Sequence, residues 1–151
     1  MGRQDFPLNQ TGIRQAKTAG EVLARISLQL IMTSPLLRAR QTAELIANQH
    51  PETPAVQIAD WLTERDFGPY EGMKKTDVRR REMNASDCVE SLEHLAMRLR
   101  PIDKASGAYE HLLIVSHSGV YRCLVERLGY QSTEEQRGLR NAELVSLARE
   151  F

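Results

Sequence analysis

Three short segments of this sequence carry side chains suited to anion binding or proton transfer. In the first, the apolar run 28–32 is followed by Ser34-Pro35, which favours the start of a helix. Arg38 would then lie in the first turn of that helix. The helix macrodipole disfavours a cation in this first turn by roughly 0.3–1 kcal/mol. Because a bound anion would offset that cost, we interpret Arg38 as a candidate anion ligand. A tolerated surface arginine is the alternative.

The second segment, residues 62–73, is rich in glycine and proline and is predicted to be a loop. It contains Glu64, with Leu62 two residues before it and Phe67 three residues after it. Partial desolvation by these neighbours would raise the pKa of Glu64, as a proton donor near neutral pH requires. A fully solvated loop glutamate is the alternative.

The third segment places His117 after the apolar run 112–115, with Ser118 and Gly119 opening a helix directly behind it. Such an arrangement directs an imidazole and free backbone N–H groups at the same point. It is typical of an oxyanion or phosphate site, with Ser118 as a further phosphate ligand. A structural histidine is the alternative.

Apolar periodicity predicts helices that alternate with short strands. We expect helices over residues 12–25 (with Thr11 as N-cap), 35–49, 87–105 and 119–128, and strands over residues 28–32, 55–59, 112–115 and 142–151. Pro101 should kink or divide its helix, and residues 74–83 could form one more. The pattern favours a single α/β domain, residues 1–151, with a mainly parallel sheet. Ligands of such sheets bind beyond the carboxyl ends of the strands, so the three segments should meet.

The overall charge gives no field that would attract nucleic acid or an anionic membrane. The chain has 20 basic and 20 acidic residues, for a formal net charge of zero. A basic run at 74–81 could contact nucleic acid, but a solvated helix face is the simpler interpretation. Cys88 and Cys123 stand apart, which suggests a reducing compartment without disulfides. The start of the chain has no apolar signal region, so we expect a cytoplasmic protein.

No metal and no cofactor are expected. His50, His94 and His111 lack the strand-end setting of His117, and no two histidines have the spacing of a zinc site. The sequence also contains no GxGxxG, Walker or GxSxG motif. Chemistry would therefore depend on the three segments themselves.

Five stretches stand in a fixed order along nearly the whole chain. They are Gly2-Arg3-Gln4-Asp5-Phe6-Pro7-Leu8, Ser34-Pro35-Leu36-Leu37-Arg38-Ala39-Arg40-Gln41-Thr42-Ala43, Glu64-Arg65-Asp66-Phe67-Gly68 with Tyr70-Glu71-Gly72, Glu90-Ser91, and Val115-Ser116-His117-Ser118-Gly119. They resemble, in turn, the GRxDxPL, SPLxRAxQTA, ExxxGxxEG, GES and VSHGG motifs of the histidine phosphatase superfamily, the phosphoglycerate-mutase-like proteins. Val89 stands where the GES motif has glycine.

This resemblance implies a three-layer α/β/α fold and a phosphatase or mutase that acts on phosphomonoesters. It implies that Arg38 clamps the phosphate, that Glu64 donates a proton to the leaving oxygen, and that His117 is the second active-site histidine. That histidine helps to stabilise the transferring phosphoryl group. The implied partner is a phosphorylated small molecule or inorganic phosphate.

The family's phosphate-accepting histidine has no counterpart in this sequence. Members of the family begin with a strand that ends in Arg-His-Gly, and the 151 residues contain no such tripeptide. We therefore expect a chain without the nucleophile and without the first, central strand, and with little or no phosphatase activity. An open position in the middle of the sheet would favour strand exchange, a rearranged sheet or a homodimer. The short segment between Gly72 and Glu90 leaves little room for a substrate-covering cap.

Three interpretations remain open at this point. The chain could be an N-terminally shortened phosphatase or mutase, or a non-catalytic phosphate-binding or interaction protein on the same scaffold. A nucleic-acid-binding domain would require salt-sensitive binding through residues 79–81.

Overall fold

The computed structural model describes residues 2–74, 76–132 and 140–148. Its helices and strands follow in the order α1 (Gln10–Leu23), β1 (Leu30–Thr33), α2 (Leu37–Gln49), β2 (Val56–Ile58), α3 (Asp77–Ala85), α4 (Leu92–Leu99), α5 (Pro101–Ala108), β3 (Leu112–Val115), α6 (Ser118–Arg127), β4 (Gln131–Ser132) and β5 (Leu147–Ala148). Two 3₁₀ turns, Asp60–Leu62 and Gly68–Tyr70, lie between β2 and α3. The predicted α/β class is confirmed.

β1 is the middle strand of a parallel sheet in the order β2-β1-β3. All of β1 is buried, as its apolar run predicts. β3 is only partly buried, because the described residues pair it on one side alone. Leu30 of β1 pairs directly with Leu112 of β3, and no described strand pairs with the other edge of β3. An open position in the sheet beside β3 is therefore neither confirmed nor contradicted. The homodimer by strand exchange stays a prediction.

Alternate residues of β1 face two different helical layers, since successive side chains of a strand point to opposite faces. Ile31 packs against buried apolar side chains of α1 and α2. Leu30 and Met32 pack against those of α4 and α6. The sheet therefore lies between two layers of helices, as predicted.

The structure corrects two predicted helix starts. Asn9 is the N-cap of α1 in place of Thr11, and its side chain accepts a hydrogen bond from the helix backbone at 2.8 Å. Ser34 does not cap α2, which begins at Leu37. The Leu37 N–H instead donates to Asp5 Oδ1 at 2.6 Å. A cap that comes from a distant part of the chain leaves no local sequence pattern.

The helical region after residue 87 is divided at Pro101, as predicted, because α4 ends at Leu99 and α5 begins at the proline. It starts later than expected, at Leu92, since the side chain of Ser91 is the N-cap. The polar stretch 74–83 is helical in its second half, as α3.

The last strand is shorter than the predicted 142–151. Its described part, Leu147–Ala148, pairs antiparallel with β4, and residues 149–151 lie outside the described residues. Both cysteines are free thiols, Cys88 exposed and Cys123 buried. None of the helices in the described ranges is long and apolar enough to cross a membrane.

Candidate active site

The carboxyl ends of β1 and β3 lie side by side and bring two polar segments together. Ser34 directly follows β1, and Ser116 and His117 directly follow β3. The Ser34 N–H donates to the Val115 carbonyl at 3.0 Å, which extends the parallel ladder to the edge of the sheet. Ser116 Oγ donates to the Leu62 carbonyl at 2.7 Å. The end of β3 is thereby joined to the loop that follows β2.

His117 forms a hydrogen-bonded group with Ser34 and Arg38, which we call the strand-end cluster. Its Nε2 lies 2.7 Å from Ser34 Oγ, and its Nδ1 lies 3.3 Å from Arg38 Nη2. A guanidinium group only donates hydrogen bonds, so Nδ1 must accept. The neutral imidazole therefore carries its proton on Nε2 and donates it to Ser34.

The surroundings of His117 keep its imidazole uncharged at neutral pH. Burial, followed by the positive charges of Arg38 and Arg98, lowers the pKa of His117 from 6.5 to about 3. An anion bound beside Arg38 and His117 would act in the opposite direction and favour the imidazolium form. The cluster is thus chemically suited to respond to a negative charge.

Arg38 lies in the first turn of α2, and its guanidinium contacts the N-terminal segment, residues 2–9. Nη1 donates to the Gln4 carbonyl and Nη2 to the Gly2 carbonyl, each at 2.7 Å. Burial lowers the pKa of Arg38, while nearby carboxylates, first among them Glu64, act to raise it. An arginine remains a cation throughout the usual pH range, so the site contains a fixed positive charge.

Glu64 is buried, with 5% of its surface exposed, which confirms the desolvation expected from its neighbours. Its carboxylate lies at the N-terminus of α6, where the macrodipole favours negative charge. Oε1 accepts a hydrogen bond from the Arg65 N–H at 2.8 Å, and Oε2 accepts one from the Gly119 N–H at 3.4 Å. A Cβ at position 119 would overlap this carboxylate. Any larger residue at position 119 would therefore require the Glu64 side chain to move.

The structure brings Arg38, Glu64 and His117 together, as the sequence predicts. Ser118 lies beside them as the first residue of α6 and is exposed. Within residues 2–74, 76–132 and 140–148, no group of three or more His, Cys, Asp or Glu side chains is placed to hold a metal ion.

Several residues that support the site were missed as functional residues in the sequence. They contact the Glu64 loop, residues 61–71. Arg3 Nε donates to the Glu64 carbonyl at 2.9 Å from 61 positions away, and Arg98 Nη1 donates to the Thr63 carbonyl at 3.0 Å from 35 positions away. At such separations no local pattern shows which residues will meet, although Arg3 belongs to the motif at residues 2–8. Glu90, which pairs with both arginines, was noted only through its motif.

With this fold and site, the chain belongs to the histidine phosphatase superfamily (branch 1), whose family model matches residues 1–150. It is 38% identical over 139 residues to the uncharacterized phosphatase PhoE of Bacillus subtilis, covering 89% of this chain and 71% of that protein. A 2,3-bisphosphoglycerate-dependent phosphoglycerate mutase of Cytophaga hutchinsonii is 30% identical over 151 residues, with the same coverage of 89% and 71%. An agropine synthesis reductase of Rhizobium rhizogenes is 41% identical over 128 residues, which are 85% of this chain but 28% of the reductase.

Solved structures agree with this family. A mycobacterial glucosyl-3-phosphoglycerate phosphatase in complex with inorganic phosphate matches with a TM-score of 0.72 and 25% identity, over 85% of this chain and 72% of that one. The alpha-ribazole phosphatase of Shigella flexneri matches with a TM-score of 0.68 and 30% identity, over 84% of this chain and 69% of that one. The predicted phosphoglycerate-mutase-like fold is confirmed.

Proposed function

We propose that this chain binds inorganic phosphate, or the phosphate group of a small phosphorylated molecule, at the carboxyl ends of β1 and β3. Arg38 and His117 contact the phosphate oxygens, and the N–H groups that begin α6 at Ser118 donate to them. Glu64 serves as the proton donor to the leaving oxygen. The observation that carries this proposal is the convergence of Arg38, Glu64 and His117 at the N-terminus of α6.

The charges around the strand-end cluster support an anionic ligand. Arg38 Nη2 and His117 Nδ1 lie 3.3 Å apart. Without an anion their proximity contributes to keeping His117 neutral. A phosphate dianion would accept charge-assisted hydrogen bonds from both groups, so its binding and the protonation of His117 favour each other.

For these 151 residues alone, we expect phosphomonoester hydrolysis to be slow or absent. The sequence contains no Arg-His-Gly, and the loss of a covalent phosphoryl acceptor should be severe. His117 is poorly arranged to replace it. Its Nδ1 accepts from Arg38, and its Nε2 carries the proton that bonds to Ser34. The phosphatase or mutase reaction of the family would need an acceptor that these residues do not supply.

A second candidate function is phosphate binding or protein interaction without catalysis. The contacts of Arg38 favour it, since Nη1 and Nη2 already donate to the Gln4 and Gly2 carbonyls. Nη2 also donates to His117 Nδ1, so both of its N–H groups are engaged, and a phosphate that binds this nitrogen must displace one of the two acceptors. In this arrangement Arg38 serves as a structural contact and is not held ready for a transferring phosphoryl group.

The test is to measure two properties of the purified chain: hydrolysis of an aryl phosphate, and binding of inorganic phosphate by calorimetry. Arg38→Ala and His117→Ala are measured beside it, with Arg14→Ala and His94→Ala, which change exposed residues, as controls. We expect phosphate binding to weaken about 10- to 100-fold in Arg38→Ala, as the loss of a hydrogen bond to a charged group predicts. The controls should bind like the unchanged chain.

Phosphate affinity that stays the same in both site variants would contradict the binding proposal. Turnover near that of relatives that contain Arg-His-Gly would contradict the expected impairment. Hydrolysis that both Arg38→Ala and His117→Ala abolish would show that the site works without the usual acceptor. Binding without hydrolysis would favour the non-catalytic candidate.

A further inference from the structure

Glu90 lies directly before α4, and its side chain is 13% exposed. Its carboxylate receives two parallel hydrogen bonds from Arg98: Nε donates to Oε1 and Nη2 donates to Oε2, each at 2.9 Å. The Asp66 N–H also donates to Oε2, at 3.1 Å. One carboxylate thus joins a helix to the backbone just after Glu64.

The remaining contacts of Arg98 reach the backbone on the other side of Glu64. Its Nη1 donates to the Trp61 carbonyl at 2.7 Å and to the Thr63 carbonyl at 3.0 Å. The planar guanidinium can make these bonds and the paired bonds to Glu90 at the same time because its donors have a fixed geometry. Arg98 therefore depends on Glu90 for its orientation.

Arg3 completes the support from the N-terminal segment. Its Nε donates to the carbonyl oxygen of Glu64 at 2.9 Å, its Nη1 to Asp66 Oδ2 at 3.2 Å, and its Nη2 to Glu90 Oε2 at 3.4 Å. The main chain adds a bond from the Glu90 N–H to the Asp66 carbonyl at 2.9 Å. The Glu90 carboxylate is the group that the two arginines share.

This support is important because residues 63–67 of the described structure belong to no helix or strand. No backbone ladder therefore determines where the Glu64 carboxylate lies against the Gly119 N–H. Loss of the negative charge of Glu90 would leave Arg3 and Arg98 without their shared acceptor. Both would then be free to turn away from the loop.

From these contacts we infer that Glu90 is a positioning residue: through Arg98 and Arg3 it holds residues 61–66 so that the Glu64 carboxylate reaches the N-terminus of α6. The inference rests on the proposed function only in its consequence for ligand binding. The placement of Glu64 is itself measurable without any ligand.

Amide hydrogen exchange measures that placement, because the Arg65 and Gly119 N–H groups donate to the Glu64 carboxylate. In Glu90→Gln we expect these two amides to exchange roughly tenfold faster, as the loss of one hydrogen bond predicts. The Tyr121 amide, which donates to the carbonyl of His117 at the N-cap of α6, should exchange at its original rate.

Two further variants make this test specific. Glu93→Gln is the matched control, since Glu93 lies three residues after Glu90, in the first turn of α4, where it pairs with Arg127 at 3.6 Å and is 69% exposed. It should leave both amides unchanged. Arg98→Lys keeps the charge opposite Glu90 but cannot reach a carboxylate and two carbonyls together. It should accelerate the same two amides, and it keeps the test conclusive if Glu90→Gln fails to fold.

Sulfate binding at neutral pH separates positioning from general structural support. Sulfate is a tetrahedral dianion, and the Glu64 carboxylate at the N-terminus of α6 repels it. Glu64→Gln should therefore raise the affinity for sulfate. Glu90→Gln lets this carboxylate move away and should also raise the affinity, roughly threefold less than Glu64→Gln does, while sulfate still binds through Arg38. A general loss of structure would lower the affinity instead.

Unchanged amides and an unchanged affinity for sulfate in both Glu90→Gln and Arg98→Lys would overturn the inference. Equal acceleration of every α6 amide would also overturn it, because Glu90 would then have a global role. If the unchanged chain binds no sulfate while the two amides still respond, the proposed function fails and the positioning role stands. If the unchanged chain binds sulfate but the two amides do not respond, the positioning role fails and the proposed function stands.

Discussion

The strand-end cluster and the Glu64 loop contribute to one site, but different interactions hold them in place. Ser34 and His117 directly follow paired strands, and backbone hydrogen bonds of the sheet determine where they begin. The Glu64 loop has no such ladder and is held by the side chains of Arg3, Glu90 and Arg98. The comparison shows that one site can combine a part built by the sheet with a part built by charges.

The two parts should also respond differently to pH. Burial alone would raise the pKa of Glu90, but hydrogen bonds from Arg98 and from the Asp66 N–H outweigh it and lower that pKa. A lowered carboxyl pKa stabilises the fold at neutral pH, and this contribution is lost as the pH falls through the lowered value. In the strand-end cluster the titrating group is His117, whose pKa is lowered by burial first and then by Arg38 and Arg98.

The largest expected effect comes from removing the charge that holds the Glu64 loop. Glu90→Ala should lower the free energy of unfolding by about 3 kcal/mol, because it leaves the partly buried Arg98 without its partner. This loss is at the lower end of the range for a broken buried ion pair, because Arg3, the second arginine that pairs with Glu90, is 38% exposed. Urea unfolding at neutral pH measures it, and the difference should shrink in acid.

Glu93→Ala provides the comparison, because it removes an exposed ion pair from the same helix. It should cost less than about 1 kcal/mol. Equal costs for the two variants would mean that the Glu64 loop does not depend on its charges.

The next effect tests the strand-end cluster through the neutral His117. Its pKa is about 3 in the folded chain and 6.5 as the reference value. Below pH 6.5 the unfolded state therefore binds a proton that the folded state does not, and stability falls as the pH falls toward 3. At about pH 5 the cost should be about 2 kcal/mol relative to neutral pH. His117→Gln should lack this component in urea unfolding at the two pH values.

His94→Gln should retain the full pH dependence, since His94 is exposed and lies outside the cluster. The interpretation of His117 as a buried neutral group would be wrong if His117→Gln kept the same acid loss. A phosphate-bound sample should show a smaller loss than the free chain, because the anion favours the protonated imidazole.

The smallest effect concerns Gly2, where the two parts of the site meet. Its carbonyl accepts from Arg38, and its φ of +55° is unfavourable for other residues. A Cβ there would also overlap the Glu71 carboxylate. Gly2→Ala should therefore lower the free energy of unfolding by about 1 kcal/mol in urea titrations.

Gly107 is the matched control for this substitution. It lies in α5, and nothing stands within 4 Å of an added Cβ. Gly107→Ala should stabilise the chain by about 0.5 kcal/mol, because alanine is favoured over glycine in a helix. A loss in both variants would indicate that the backbone conformation at Gly2 is not the cause.

Much of the fold follows from local patterns. β3 occupies residues 112–115 as predicted, since a short apolar run between polar segments has few alternatives to a buried strand. Pro101 divides its helix because it lacks a backbone N–H. The helix starts at Gln10 and Leu37 were less predictable, because Thr11 and Ser34 are also favourable caps by residue type.

The sequence by itself determined the α/β class, the alternation of strands and helices with its parallel sheet, and the meeting of Arg38, Glu64 and His117. These depend on periodicity and on the rule that parallel strands end at one edge of the sheet. Only the tertiary structure decided which nitrogen of His117 accepts from Arg38, and how Glu90 and its arginines hold the Glu64 loop. Such contacts join residues far apart in the chain, so their geometry exists only once the layers have packed.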